Sequence, residues 1–296
     1  MAETSPPIGD QIGRSAPRPN APRLAAGRGR YVDDIQLPRM VHLAFLRSPY
    51  AHARIGAIDI AEAAAMPGVV RVLTGADIAE ICKPWSGVAA HLPSLRSPPQ
   101  YPMAVDRAVW QGEPVVAVIA QSRAQAEDAA ELMDIDYEIL PAVSDCREAL
   151  EDASPLAHLG TDTNECAKFR LTFGDADAAF ANAPHIYQQS LWSHRGGGFA
   201  IENRAVLASP DVINDVVTLW SATQSPFLVK MNVADMLGWH RDSLRVIAPE
   251  VGGGFGPKTV YYVEEALIAL VAKMMNRPVK WIEDRRENFI ATNRER

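Results

Sequence analysis

The chain has 296 residues, 48% of them hydrophobic and 22% charged, which is the make-up of a soluble globular protein with room for two domains. Its net charge of −7 argues against nucleic acid as the main partner, since a phosphate-binding surface needs clustered Lys and Arg. No apolar run approaches the roughly 20 residues that cross a bilayer, the start lacks a basic-then-apolar signal pattern, and the three cysteines, Cys82, Cys146 and Cys166, form no C-x-x-C pair. No iron–sulfur or zinc site is therefore encoded here, and an odd count of separated thiols fits a reducing compartment, the cytoplasm.

Residues 1–22, rich in Pro, Gly, Arg and Ser, read as an extended leader. Gly27–Ile35 reads as a turn entering a strand, and Val41–Leu46 as a strand. In Arg47–Ile55, His52 sits among alanines and reads as structural. Ala61–Met66 is a short helical run stopped by Pro67-Gly68, and Val69–Leu73 is a β-branched strand. Residues 84–103, with Trp85 and His91, read as a loop. Val115–Ala120 is a continuous apolar run of the buried-strand kind. Ser122–Met133 is an Ala/Glu-rich helix with Ser122 as N-cap, and Ile135–Leu140 is a strand. Such a strand–helix–strand unit packs its helix on a sheet.

Residues 144–168 read as a linker. Its carboxylates Asp145, Glu148, Glu151 and Asp152 read as a solvated face rather than a metal site. Gly174–Phe180 is a turn entering a short helix, and His185–Trp192 a strand. The stretch Ser193–Arg204 holds a triplet, Gly196–Gly198, that reads as a flexible surface loop. Val216–Ala222 is a strand closed by Thr223-Gln224-Ser225-Pro226, and Phe227–Leu237 a helix with Pro226 in its first turn and Gly238 as C-cap. Leu244–Val251 is a strand. Thr259–Met275 is a helix with Val263, Ala266, Leu267, Leu270 and Val271 at helical spacing. Its Glu264 and Glu265 read as solvated or first-turn charges. Pro278–Ile282 is a strand.

Between Leu244–Val251 and Thr259–Met275 lies Val251-Gly252-Gly253-Gly254-Phe255-Gly256-Pro257-Lys258. Glycines at a strand-to-helix junction bring backbone N–H groups close to an anion or oxo group, and a following helix N-terminus adds favourable field. The Walker A pattern fails because Pro257 stands where Gly must precede Lys. The dinucleotide fingerprint fails because Pro257 also takes its sixth position.

The octapeptide does resemble the cofactor loop of the molybdenum hydroxylases, the large subunits of xanthine dehydrogenase, aldehyde oxidase and carbon monoxide dehydrogenase. Gly27–Ile35, Arg47–Ile55, the Gly112–Val118 run, the Asp136–Val143 run, the Ile201-Glu202-Asn203-Arg204 step and Thr223–Pro226 resemble segments of the same family, in the same order. The resemblance implies an α+β fold: a small α/β hammerhead domain over 23–143 and the first part of a molybdopterin-binding domain over 169–296. It implies that Gly253, Gly254, Phe255 and Gly256 touch a molybdenum–molybdopterin cofactor in its cytosine dinucleotide form, with Phe255 walling the site. Many members place a Gln six residues before the Glu equivalent to Glu202, where it bonds an oxo ligand. Here that position is Gly196, so either a backbone amide takes over or the contact is absent.

The resemblance further implies [2Fe–2S] and FAD on small and medium partner subunits. It covers only the first part of a family large subunit, so a general-base Glu and a second, C-terminal half are expected on a continuation or a separate chain, without which this chain is not expected to be active. No catalytic residue and no direct metal ligand is assigned here. Purine-hydroxylating members carry Glu after the loop lysine. Thr259 stands there, which leaves an aldehyde or N-heterocycle as the expected substrate. The competing readings are a non-catalytic scaffold or assembly subunit and a nucleotide-binding module using the glycine loop.

Overall fold

The computed structural model describes residues 12–87, 94–158, 160–193 and 196–293; the first half of the expected leader, and His91 and His194, lie outside them. The elements begin with helix α1 (Ala21–Ala25), strands β1 (Val41–Arg47) and β2 (Ala53–Asp59), helix α2 (Ala61–Ala65), strand β3 (Val69–Thr74) and helix α3 (Gly75–Ala79). Strands β4 (Arg107–Ala108) and β5 (Pro114–Ala120), helix α4 (Arg123–Glu131), strand β6 (Asp134–Ile139) and helix α5 (Ala176–Asn182) follow. The remainder holds β7 (Ala205–Asp211), β8 (Val216–Ser221), α6 (Pro226–Leu237), β9 (Leu244–Ile247), α7 (Val263–Met275), β10 (Val279–Ile282) and α8 (Arg285–Ala291).

The fold is α+β. A seven-stranded sheet runs β3-β5-β1-β10-β7-β8-β9, and a three-stranded one β4-β2-β6. Strand β5 is buried at every position, and the reason is visible in its two faces. Ala117 and Ile119 join a core with α6 and α7, while Val116, Val118 and Ala120 pack with Ala126 and Ala129 of α4. A strand covered on both sides has no polar face to alternate. Strand β1 lies between β5, antiparallel, and β10, parallel, with Val41 opposite Val279. Strands from 23–143 and from 169–296 thus share one sheet.

Local chemistry sets the helix ends. Ser122 accepts the Gln125 N–H and starts α4. Pro226 opens α6, and Gly238, at φ +65°, closes it. His52 donates through Nδ1 to the Pro141 carbonyl at 2.7 Å, a packing role. Asp145 pairs with Arg147. No group of three or more His, Cys, Asp or Glu able to hold a metal occurs among the described residues, and none of their helices is long and apolar enough to cross a membrane.

Several expectations need correction. His185–Trp192 forms no strand and is exposed throughout. Helix α1 occupies the end of the expected leader and continues past it. Helix α7 starts at Val263, not Thr259: the Thr259 N–H donates to the Gly256 carbonyl in a turn, and Glu265 accepts from the Tyr262 N–H, fixing Tyr262 as N-cap. Strands β2 and β7 and helix α8 were not foreseen. In β7, Pro210 and Asp211 disguise a strand paired on both sides.

Glu113, at the entry to β5, is 5% exposed and accepts the Val109 N–H at 2.7 Å. Burial pushes its carboxyl up to about 7, against the opposing amides of Val109 and Trp110. The folded chain therefore holds this proton more tightly than the unfolded one. The associated stability is full below pH about 4.5, declines as pH rises through about 7, and is absent above. Between pH 4.5 and 8 the wild type should lose up to about 3 kcal/mol more than Glu113→Gln, read from urea unfolding at each pH. Parallel pH curves for the two proteins would contradict this.

Candidate functional site

The glycine loop is held at both ends by one carboxylate oxygen. Glu202 Oε2 accepts the Gly252 N–H at 2.7 Å and Lys258 Nζ at 2.8 Å. Lys258 is buried; burial lowers its pKa, and Glu202 works against that shift. The Lys258 carbonyl in turn accepts from the Gln224 N–H and the Thr223 hydroxyl. The residues between are bowed outward, with Gly253 at φ +100°, Phe255 at +51° and Gly256 at +95°. A positive φ in Phe costs free energy, so the surroundings must impose it.

Among the described residues the amides of Gly253, Gly254, Phe255 and Gly256 find no acceptor. Because α7 begins only at Val263, these amides are not its first turn, and the expected help from a helix N-terminus gives way to the loop's own N–H groups. The second glycine stretch meets the first. A Cβ on Gly198 would lie 2.6 Å from Phe255 Cβ, so glycine is required for that approach. Gly196 has nothing within 4 Å and stands open at the rim. A Cβ on Gly254 would sit 2.2 Å from the carboxamide carbon of Gln224. The structure thus lays the side-chain amide of Gln224 on the loop, a residue that sequence reading treated as a strand terminator. A recess of about 340 Å³ opens between the two glycine stretches, lined by Gly198, Phe199, Glu202, Gly254, Lys258 and Asn288.

Behind the recess lies a buried ion network. Arg204 bonds Glu283 at 2.6 Å and lies 3.2 Å from Glu264, which also accepts from Arg47 at 3.0 Å. The Arg204 guanidinium stacks 4.0 Å from the Tyr262 ring centre, and the Tyr262 hydroxyl donates to the Pro257 carbonyl at 2.7 Å. The network therefore reaches the loop itself. Glu264 and Glu265 are buried, so the reading of them as solvated fails, while their first-turn position stands. Their environments differ. Burial pushes Glu264 up, but Arg204 and Arg47 outweigh it and hold its carboxyl below the usual range. Burial lifts Glu265 to about 7, against its hydrogen bond from Ser221. Two buried polar atoms, Glu202 Oε1 and Arg204 Nη1, have no partner among the described residues, and both residues line the recess.

At the recess the unpaired Gly254 N–H and Arg204 Nη1 are donors that suit an oxygen-rich anionic group, with three further unpaired amides on the same loop, while the unpaired Glu202 Oε1 is an acceptor that calls for a donor on the bound group. No side-chain set among the described residues would ligate a metal directly, so a metal here would be carried by its own organic ligand. These residues fit a molybdopterin.

Comparison with known proteins identifies the family. Residues 26–141 match the family described as "Aldehyde oxidase and xanthine dehydrogenase, a/b hammerhead domain", and residues 158–296 the "Molybdopterin cofactor-binding domain". The nicotine 6-hydroxylase large subunit of Paenarthrobacter nicotinovorans is 40% identical over 97% of this chain and 35% of its own length. The carbon monoxide dehydrogenase large chain of Afipia carboxidovorans is 36% identical over 92% of this chain and 34% of its own. Among solved structures, quinoline 2-oxidoreductase from Pseudomonas putida 86 superposes with a TM-score of 0.90 at 37% identity, over 96% of this chain and 36% of that one. The chain spans about a third of the length of these relatives.

Proposed function

Because the chain belongs to the molybdenum hydroxylase family, among the large subunits of xanthine dehydrogenase and aldehyde oxidase type, we propose that it forms one wall of a molybdopterin site in an enzyme that oxidises an N-heterocycle or an aldehyde with oxygen from water. The observation that carries this reading is the abutment of the two glycine stretches at Gly198 and Phe255 beside four unpaired amides. When bound, the cofactor supplies Lewis acidity and the two-electron oxidising capacity.

This chain's residues bind and orient. The N–H groups of Gly253, Gly254, Phe255 and Gly256 would donate to oxygen atoms of the cofactor, and the Phe255 ring would wall the site. Glu202 and Lys258 fix the loop's ends, so the amides are already aimed before anything binds. Gly196 lacks the side chain through which many family members reach the metal's oxo group, and the Gln224 carboxamide, lying on Gly254, is placed to take that part. The general-base Glu belongs to the two-thirds of the relatives' length that this chain does not span.

The cofactor is proposed in its cytosine dinucleotide form, with [2Fe–2S] and FAD on small and medium partner subunits, in the cytoplasm. Support for partners comes from relatives described as large subunits or as the gamma subunit of a dehydrogenase complex. A nicotine hydroxylase and a quinoline oxidoreductase among the relatives favour a nitrogen heterocycle, and Thr259 after the loop lysine argues against a purine.

The decisive measurement is metal and pterin analysis of the assembled complex, followed by turnover of quinoline, nicotine, aldehydes and carbon monoxide. About one molybdenum per copy with heterocycle turnover is expected. An assembled complex without molybdenum would leave the scaffold reading. Gln224→Ala should retain the cofactor, since Gln224 is exposed, yet lower kcat by about tenfold or more through loss of one oriented donor. Unchanged turnover would remove Gln224 from the site.

A further inference from the structure

Strand β9 pairs with β8 as far as Ile247, opposite Trp220, and the chain then leaves the sheet. Residues 249–251 must carry the direction of that strand into the glycine loop without a ladder to guide them. Among the described residues their one backbone hydrogen bond runs from the Glu250 N–H to the Arg30 carbonyl, at 3.3 Å. The Glu250 side chain answers it twice. Its Oε2 accepts the Arg30 N–H at 2.8 Å, and its Oε1 pairs with the Arg23 guanidinium. Arg23 also donates to the Arg28 carbonyl at 2.8 Å, while the Arg28 N–H bonds the Arg23 carbonyl at 3.0 Å. One side chain therefore closes its own turn and grips Glu250. Two residues further on, a Cβ on Gly252 would lie 3.4 Å from Cε1 of Tyr31, so the same N-terminal segment meets the chain again where the loop starts. Helix α1 buries none of its five residues, so apolar burial is not what holds the segment in place. Among the described residues, every hydrogen bond from residues 21–30 to a distant segment ends on Glu250.

We propose that Arg23 and Glu250 are positioning residues for the cofactor loop, a clasp that sets the direction in which the amides of Gly253–Gly256 point and so governs how long the molybdopterin stays bound. The proposal rests on the molybdopterin reading above. Glu202 already holds the Gly252 N–H at 2.7 Å, but one anchor fixes where a loop starts and leaves the chain free to pivot about it. A second anchor two residues earlier removes that pivot. Glu250 supplies it with both carboxylate oxygens and its own N–H engaged. The Arg23 guanidinium and the Arg30 amide hold its carboxyl below the usual range, so the grip is charged at neutral pH. Neither residue lines the recess, so each acts through Gly252 and not on the cofactor. Aim matters more than strength here: donors that are already oriented bind an oxygen-rich group without first paying to be ordered.

The test compares assembled complexes carrying Arg23→Met, Glu250→Gln or Arg23→Lys with the wild type. During dialysis, molybdenum should leave the first two about tenfold faster or more, through misdirected donors. Their urea midpoints should stay at the wild-type value, because the pair is partly exposed and contributes little to the fold. Arg23→Lys keeps a cation against Glu250 and should retain molybdenum to within about threefold of the wild type. Hydrogen–deuterium exchange of 248–252 should quicken about fivefold or more in Arg23→Met and Glu250→Gln, with α6 unchanged. Molybdenum loss at the wild-type rate in Arg23→Met and Glu250→Gln overturns the proposal. So does equally fast loss in all three variants with lowered urea midpoints, which would make the segment a matter of general stability. The same samples separate the two readings. A wild-type complex without molybdenum defeats the cofactor assignment, and exchange of 248–252 then decides whether the clasp holds the loop. A loaded complex whose variants keep molybdenum defeats the clasp alone.

Discussion

Arg204→Met is expected to cost the fold about 3–5 kcal/mol, read as a lowered urea midpoint. The guanidinium is 5% exposed and bonds Glu283, whose side chain is fully buried, while lying 3.2 Å from Glu264 at 2% exposure. Burial alone would favour a neutral group, but Glu264 and Glu283 together raise the Arg204 pKa above its ordinary value. Removing the cation strands two carboxylates in a low-dielectric interior, and the penalty is theirs rather than the lost contact's. Arg47 partly compensates Glu264 but does not reach Glu283. Lysine should not rescue, because one ammonium cannot reproduce the forked contact or the stacking on Tyr262. A loss below about 1 kcal/mol, the range of exposed pairs, would show that water enters this network. Since Tyr262 holds the Pro257 carbonyl, the variant should also loosen the glycine loop.

Gly253→Ala should lower molybdenum occupancy of the assembled complex more than tenfold while leaving the circular dichroism spectrum intact. The residue sits at φ +100°, where an L side chain is strained by about 1–3 kcal/mol. Its Cβ would also lie 2.7 Å from the Phe255 ring and 3.0 Å from Ala200 Cβ. Relief requires the loop to move, and with it the amides that aim at the cofactor. Gly238→Ala is the matched control. It carries comparable backbone strain at φ +65° with nothing within 4 Å, and it caps α6 at the end opposite Ser225 and the loop-contacting Gln224. A similar stability loss with full molybdenum content is expected there. Equal molybdenum loss in both variants would mean that occupancy follows global stability and not the loop.

What could be read from sequence was what local chemistry dictates. Val115–Ala120 announced a doubly covered strand, Pro226 and Gly238 bracketed α6, and the glycines of 252–256 marked the loop. What escaped depends on contacts between distant segments. Gln224 lies far along the chain from Gly254, and no spacing rule brings its carboxamide there. Glu264 and Glu265 looked solvated because nothing local reveals Arg204 and Arg47 waiting inside. The register of α7 was missed by four residues because its start is set by the Tyr262–Glu265 cap, not by the apolar period. His185–Trp192 has the composition of a strand, but a ladder needs a neighbour, and none is present among the described residues.

The central sheet also dictates an order of events during synthesis. Strand β1 has one edge on β5, available early, and the other on β10. About 240 residues separate Val41 from Val279, so at about 5–20 residues per second that second edge waits roughly 10–50 s on the ribosome. An open, apolar, hydrogen-bonding edge of that lifetime is a target for premature pairing between nascent chains. Yield of soluble protein should therefore depend on chaperone supply and on slowed translation early in the message more than on the stability of the finished fold.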